Sequence, residues 1–308
     1  MTINRRTVLS PGIQLCYFIL ISVAFVFIGY IIGLVIIIAA YGMDVLMQIA
    51  RMDLSTPDTI SALWIIQIAG MTIPLFVGPL FFAYVIVKEP FYYLRPSLNF
   101  APILIVLVLC IMYISSPLIE FLARINQQMI FPTSLKFIYD WISQKEEAAK
   151  QLSSTLLQMR TLGSMIKNVL LVGLLTAIAE EFTFRGCLQS IFTRWTKNHH
   201  AAIWITAIIF SAFHVQFFGF LPRVLLGALL GYMVAWSGSI WPAVWGHFIN
   251  NGTAVVATYL YQHKKINVNP DDQHLFNYNL YILSLIIVLF LLFMYKKLAT
   301  EKKQLQAE

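Results

Sequence analysis

Residues 170–186 read Leu170-Leu-Val-Gly-Leu-Leu-Thr-Ala-Ile-Ala179, followed by Glu180-Glu181-Phe-Thr-Phe-Arg185-Gly186. The first ten residues carry no charge; two acids follow directly, and a base stands four places after the second. The surrounding apolar run, about 165–192, is long enough to cross a bilayer as a helix, which takes about 20 residues. The stretch therefore reads as a lipid-embedded helix with ionisable groups inside it. Charge within a span costs about 2.5–3.5 kcal/mol per residue on insertion scales, so such groups are functional suspects.

Working outward, seven further apolar stretches have the same character: 13–42, 60–87, 101–122, 201–219, 221–236, 240–262 and 279–295. The expected fold is all-α, a polytopic integral membrane protein of about eight transmembrane helices. The chain is 59% hydrophobic and 11% charged, against about 25% charged in soluble domains. Its net charge of +7 does not signal nucleic acid, because the basic residues lie between apolar runs and at the ends. Cys16, Cys110 and Cys187 form no CxxC pair, which argues against a disulfide framework or a cysteine zinc site. The first apolar run exceeds the 7–15 residues of a signal-peptide core, so it reads as a retained span behind Arg5 and Arg6.

Residues 1–308 read as a single membrane domain, with 123–163 as an extramembrane loop or cap. In that insertion the run Lys145-Glu-Glu-Ala-Ala-Lys-Gln-Leu has helical character. Pro74 and Pro79 are expected to bend the second span. Gly227 and Gly231 form a small-xxx-small pattern that lets helices approach closely. Lys and Arg are denser in the segments that face the cytoplasm when both termini are cytoplasmic, led by Lys296, Lys297, Lys302 and Lys303.

The acids of the quoted stretch separate by spacing. Glu181 and Arg185 are i and i+4, so they share a helix face and can pair. Glu180 points about 100° away. A carboxyl buried apart from that base is suited to general base work; the bland reading is a Glu–Arg packing pair. The fifth span carries Phe210-Ser-Ala-Phe-His214, and the seventh His247-Phe-Ile-Asn-Asn251. His247 and Asn251, four apart, face one direction and can both donate to a developing oxyanion. Each motif alone also reads as interhelical hydrogen bonding. Three spans bearing polar groups away from their ends make a stronger case, since buried polar groups need partners. Ser237-Gly-Ser239 reads as a turn, and no GxGD aspartyl motif is present.

These three motifs, in this order, resemble the EExxxR, FxxxH and HxxxN/D motifs of the CPBP family, also called Abi. That family includes CAAX prenyl endopeptidases and bacteriocin-processing or self-immunity proteins. The resemblance covers about residues 165–262, which would be the catalytic core. It implies an all-helical intramembrane endopeptidase in which Glu180 activates water, His214 assists, His247 and Asn251 stabilise the oxyanion, and Glu181 and Arg185 support them. The implied partners are the bilayer and a peptide or membrane-protein substrate, in a bacterial cytoplasmic membrane. Two histidines and a glutamate could ligate zinc, but the HExxH spacing of zincins is absent, which favours a metal-free, glutamate-dependent site. The competing functions are a non-catalytic immunity or peptide-binding protein and a secondary transporter. A transporter would suit an intramembrane carboxylate, but no inverted repeat is visible.

Overall fold

The computed structural model describes residues 9–129, 132–269 and 275–305, with only the backbone of 303–305. Arg5, Arg6 and the Lys303 side chain, which entered the topology argument, lie outside what is described. All regular structure among the described residues is helical. In chain order the elements used below are α1 (Pro11–Ala50), α2 (Pro57–Ile86), α3 (Pro90–Leu94), α4 (Ile103–Ile114), α5 (Ser116–Gln127), α6 (Lys136–Leu156), α7 (Leu162–Thr196), α8 (His199–Phe213), α9 (Phe220–Ser237), α10 (Trp241–Gln262) and α11 (Tyr278–Leu305).

The protein is an all-α polytopic membrane protein. Among the described residues, five helical runs are long and apolar enough to cross a bilayer, and α4 with α5, bent by 42°, makes a sixth when counted as one span. Two of the eight expected spans differ in kind: α8 has only 15 residues, and α10 carries His247, Asn250 and Asn251 along its length. The first helix runs to Ala50, but it kinks at Gly42 (φ 84°), where the sequence reading ended the span.

The chain divides into two compact units, Met1–Pro96 with Ile178–Ala202 and Ser97–Ala177 with Ile203–Glu308. In the first, α1 lies along α2 so closely that a Cβ on Gly29 would stand 2.1 Å from the Ala69 carbonyl oxygen. Only glycine permits that backbone approach. The two interior prolines of α2, Pro74 and Pro79, lie between widened π-helical turns at Ile66–Thr72 and Phe82–Ile86. Pro79 has no N–H, so the carbonyl of Leu75 lacks its helical donor. Thr183 supplies one, its hydroxyl donating to Leu75 O at 2.6 Å. The Cys187 thiol makes the parallel contact to Pro79 O at 3.7 Å. At one end of this unit the Arg194 guanidinium pairs with Glu89 and stacks 4.2 Å over the Tyr92 ring. The Tyr93 hydroxyl bonds Gln14 there, and burial pushes that phenol above its ordinary range.

The second unit packs α4, α9, α10 and α11 around Leu104, Val108, Ile111, Leu230, Met233 and Tyr295. A Cβ on Gly246 would meet Leu230 at 2.9 Å and Val108 at 3.1 Å, so α10 enters this core where it has no side chain. Gly227 of the small-xxx-small pattern faces Ala207, 3.1 Å from its hypothetical Cβ. The polar insertion folds largely as α6, a 21-residue helix with no buried residue, which contains the Lys145–Leu152 run.

Candidate active site

Glu180 and Glu181 end an α-helical stretch, Thr176–Glu181, within α7, and a π-helical segment, Phe182–Leu188, follows at once. Such widened turns recur at functional sites, and no sequence period announces one. Glu181 and Arg185 are both fully buried and joined at 2.5 Å. A buried pair of this kind stands only if both members are present, because one alone leaves an uncompensated charge out of water. Glu180, on the neighbouring side of the helix, is 8% exposed. The segment is anchored by Thr183 on Leu75 and by the Phe182 ring, edge-on to Phe76 at 5.4 Å. These three ionisable residues belong to the first unit.

His214, His247 and Asn251 belong to the second unit. The sequence reading set His214 inside its span, but α8 ends at Phe213. The reason is local. The His214 ring turns back so that Nδ1 lies 2.9 Å from the Phe210 carbonyl, four residues earlier, and Val215 takes a left-handed φ of 53°. A side chain that donates to a last-turn carbonyl caps a helix end. A carbonyl can only accept, so in the neutral ring Nδ1 carries the hydrogen and Nε2 is the basic nitrogen.

Phe210 does more than its motif position suggested. Its ring centroid lies 5.0 Å from that of His214 and 5.8 Å from that of His247, edge-on to both. One phenyl ring thus seats the imidazole just past the end of α8 and one on α10. His247 is 3% exposed. One turn on, the Asn251 amide is oriented at both ends: its Nδ2 donates to Val172 O at 3.3 Å, and its Oδ1 accepts from Asn250 at 3.1 Å. The bond to Val172 is possible because α10 meets the π-helical turn Val169–Leu175 through glycines. A Cβ on Gly173 would stand 3.4 Å from the Gly252 Cα. Asn251 keeps a second N–H for another acceptor.

Sequence reasoning singled out two acids as lying away from span ends. Glu120 is a third buried carboxylate among the helices, 8% exposed in α5. Its oxygens accept from the Leu275 and Phe276 amides at 3.1 and 3.2 Å and from the Tyr281 hydroxyl at 2.8 Å. It caps the approach to α11, a structural duty. Its place near the end of an apolar run hid it. Within either unit, no three His, Cys, Asp or Glu side chains among the described residues are grouped to hold a metal ion.

Apolar helices of spanning length, with buried carboxylates and an Arg counter-ion in the first unit and two seated imidazoles and an oriented amide in the second, define an integral membrane protein with polar and ionisable side chains among its helices. Residues 163–253 match the family described as Rce1-like, the Type II CAAX prenyl endopeptidases, and all six site residues lie within the match. Over this segment, less than a third of its length, the chain is similar to that family. Over 88 residues it is 32% identical to the uncharacterized protein YpbD of Bacillus subtilis (strain 168). That match spans 27% of this chain and 42% of the relative, less than half of the relative's length. No solved structure matches the chain.

Proposed function

We propose that the protein is an intramembrane CAAX-type endopeptidase that hydrolyses a peptide or membrane-protein substrate by a glutamate-dependent, metal-free route. Glu180 takes a proton from water as its oxygen bonds to the scissile carbonyl carbon. His214 assists through Nε2. His247 and the second Asn251 N–H donate to the oxyanion. The proton then passes to the leaving amine as the C–N bond breaks, so no covalent intermediate is required. Glu181 and Arg185 hold the helix that carries Glu180. Both termini lie in the cytoplasm of a bacterial cell, with the protein in its cytoplasmic membrane.

The observation that carries this reading is the seating of His214 and His247 on the one ring of Phe210, with the Asn251 amide oriented a turn away. Rings and amides fixed by their surroundings stabilise developing charge without reorganising. General acid–base help of this kind is worth about 10²–10⁴-fold. The metal-free choice rests on the absence of HExxH spacing.

The decisive experiment compares membrane peptides in cells carrying wild type and Glu180→Ala. Peptides cut in wild type and intact in the variant are expected. A phenotype that survives Glu180→Ala would instead point to a non-catalytic immunity or peptide-binding protein. Stoichiometric zinc in the purified protein, with activity lost on its removal, would overturn the metal-free route.

A further inference from the structure

Beside His214, within the second unit, lies an open groove of about 380 Å³ that the proposed chemistry does not use. Its apolar walls are Trp141 and Ile142 of α6 on one side and Ala212, Val215, Phe217 and Phe220 on the other. Two polar residues complete the lining. The Ser211 hydroxyl is turned onto the Phe220 carbonyl at 2.8 Å, and the Gln216 carbonyl accepts from Arg223 at 3.1 Å. The Gln216 bond uses only its main chain, but six of the eight lining residues are apolar, so the groove suits an apolar occupant. Its volume falls in the range of about 300–1,000 Å³ usual for ligand sites.

Two further observations make the groove a built feature. The first is that α6 is tied to the turn after His214. The Glu146 carboxylate accepts from the Phe218 amide at 3.3 Å, and the Tyr139 ring lies 6.2 Å from that of Phe218. The second is the backbone of Val215. A β-branched residue at φ 53° is strained, and this one stands directly after His214, 51% exposed on the groove wall.

We propose that this groove receives an apolar side chain of the peptide substrate, next to the scissile bond, and that Trp141 and Ile142 of α6 set its size preference. Residues 211, 212, 215 and 216 bracket His214 in sequence and line the groove. An extended substrate advances about 3.3 Å per residue, so a chain presented to His214 brings a neighbouring side chain to this wall. The inference rests on the endopeptidase reading above, yet α6 lies outside the stretch that carries the family match.

The test takes a peptide whose cleavage in membranes is lost in Glu180→Gln and resynthesises it with Gly, Leu or Trp at each position flanking the cut bond. Purified wild type, Trp141→Ala and Ile142→Trp are assayed in proteoliposomes, with thermal stability as the folding control. At one flanking position wild type is expected to favour Leu over Gly. Ile142→Trp should lower kcat/KM for Leu about tenfold relative to Gly, through KM, and Trp141→Ala should shift preference toward Trp. Unchanged preference in both folded variants would overturn the groove assignment while leaving Glu180-dependent cleavage intact. So would an alkyl-diazirine phosphatidylcholine that crosslinks at Trp141 and is not displaced by peptide, which would make the occupant a lipid chain. Absence of any Glu180-dependent cleavage would remove the endopeptidase reading, and the groove assignment with it.

Discussion

The Thr183 hydroxyl donates across 2.6 Å to the Leu75 carbonyl, the acceptor that Pro79 leaves without its helical partner. A residue of the acidic motif is thereby locked to a defect built into another helix of the same unit. Thr183→Val keeps the shape and removes the donor. It should cost about 1–3 kcal/mol, because a buried carbonyl is left without a hydrogen bond. Pro79→Ala restores an N–H four residues after Leu75. In that background Thr183→Val should cost much less, and thermal unfolding of the four proteins measures the difference. Equal costs in both backgrounds would show that Thr183 does not serve the proline-freed carbonyl.

The buried pair of Glu181 and Arg185 gives an asymmetric expectation. Arg185→Met strands a carboxylate away from water and should destabilise by about 3–5 kcal/mol, whereas replacing both residues by apolar ones of similar volume should recover much of that loss. If activity returns with stability in the double variant, the pair serves only to hold the helix. If stability returns and activity does not, its charges also bear on Glu180. Detergent-solubilised melting curves and the cleavage assay separate the two.

The position of Nδ1 on the Phe210 carbonyl assigns the His214 tautomer, and this can be read directly. Nitrogen-15 spectra of protein labelled at histidine, with His214→Gln to identify the signal, should show Nδ1 protonated and Nε2 bare in the neutral ring. The opposite tautomer would remove Nε2 as the proton acceptor in the proposed chemistry.

Much of the fold was legible because lipid imposes long apolar runs, and each such run in the chain is mainly helical, 101–122 as the bent pair α4 and α5. What sequence could not show came from local exceptions. The end of α8 depends on an imidazole turned back onto its own helix, and spacing cannot reveal a rotamer. Pro74 and Pro79 announce a disturbed helix, but not the widened turns that flank them or the Thr183 hydroxyl that serves the freed Leu75 carbonyl. Phe210 was visible as a motif letter, but its seating of both imidazoles is a tertiary fact. Val172 takes part only through a main-chain carbonyl, and side-chain identity is silent about that.

That main-chain contact supports one more expectation. The bond from Asn251 to Val172 depends on α10 and the turn at Val169–Leu175 meeting at glycines. A Cβ on Gly173 would lie 3.3 Å from the Phe248 ring, already tight. Gly173→Ala should therefore be mild. Gly173→Leu should force the helices apart, with an overpacking cost of about 1–3 kcal/mol, and release the Asn251 amide. If that amide has the oxyanion-donor role proposed above, cleavage should fall mainly in kcat, as expected when a transition-state donor is lost. In an Asn251→Ala background the donor is already gone. There Gly173→Leu should still lower the melting temperature while leaving the residual rate unchanged. A further drop in rate would mean that the glycine contact serves the site by some route other than the amide.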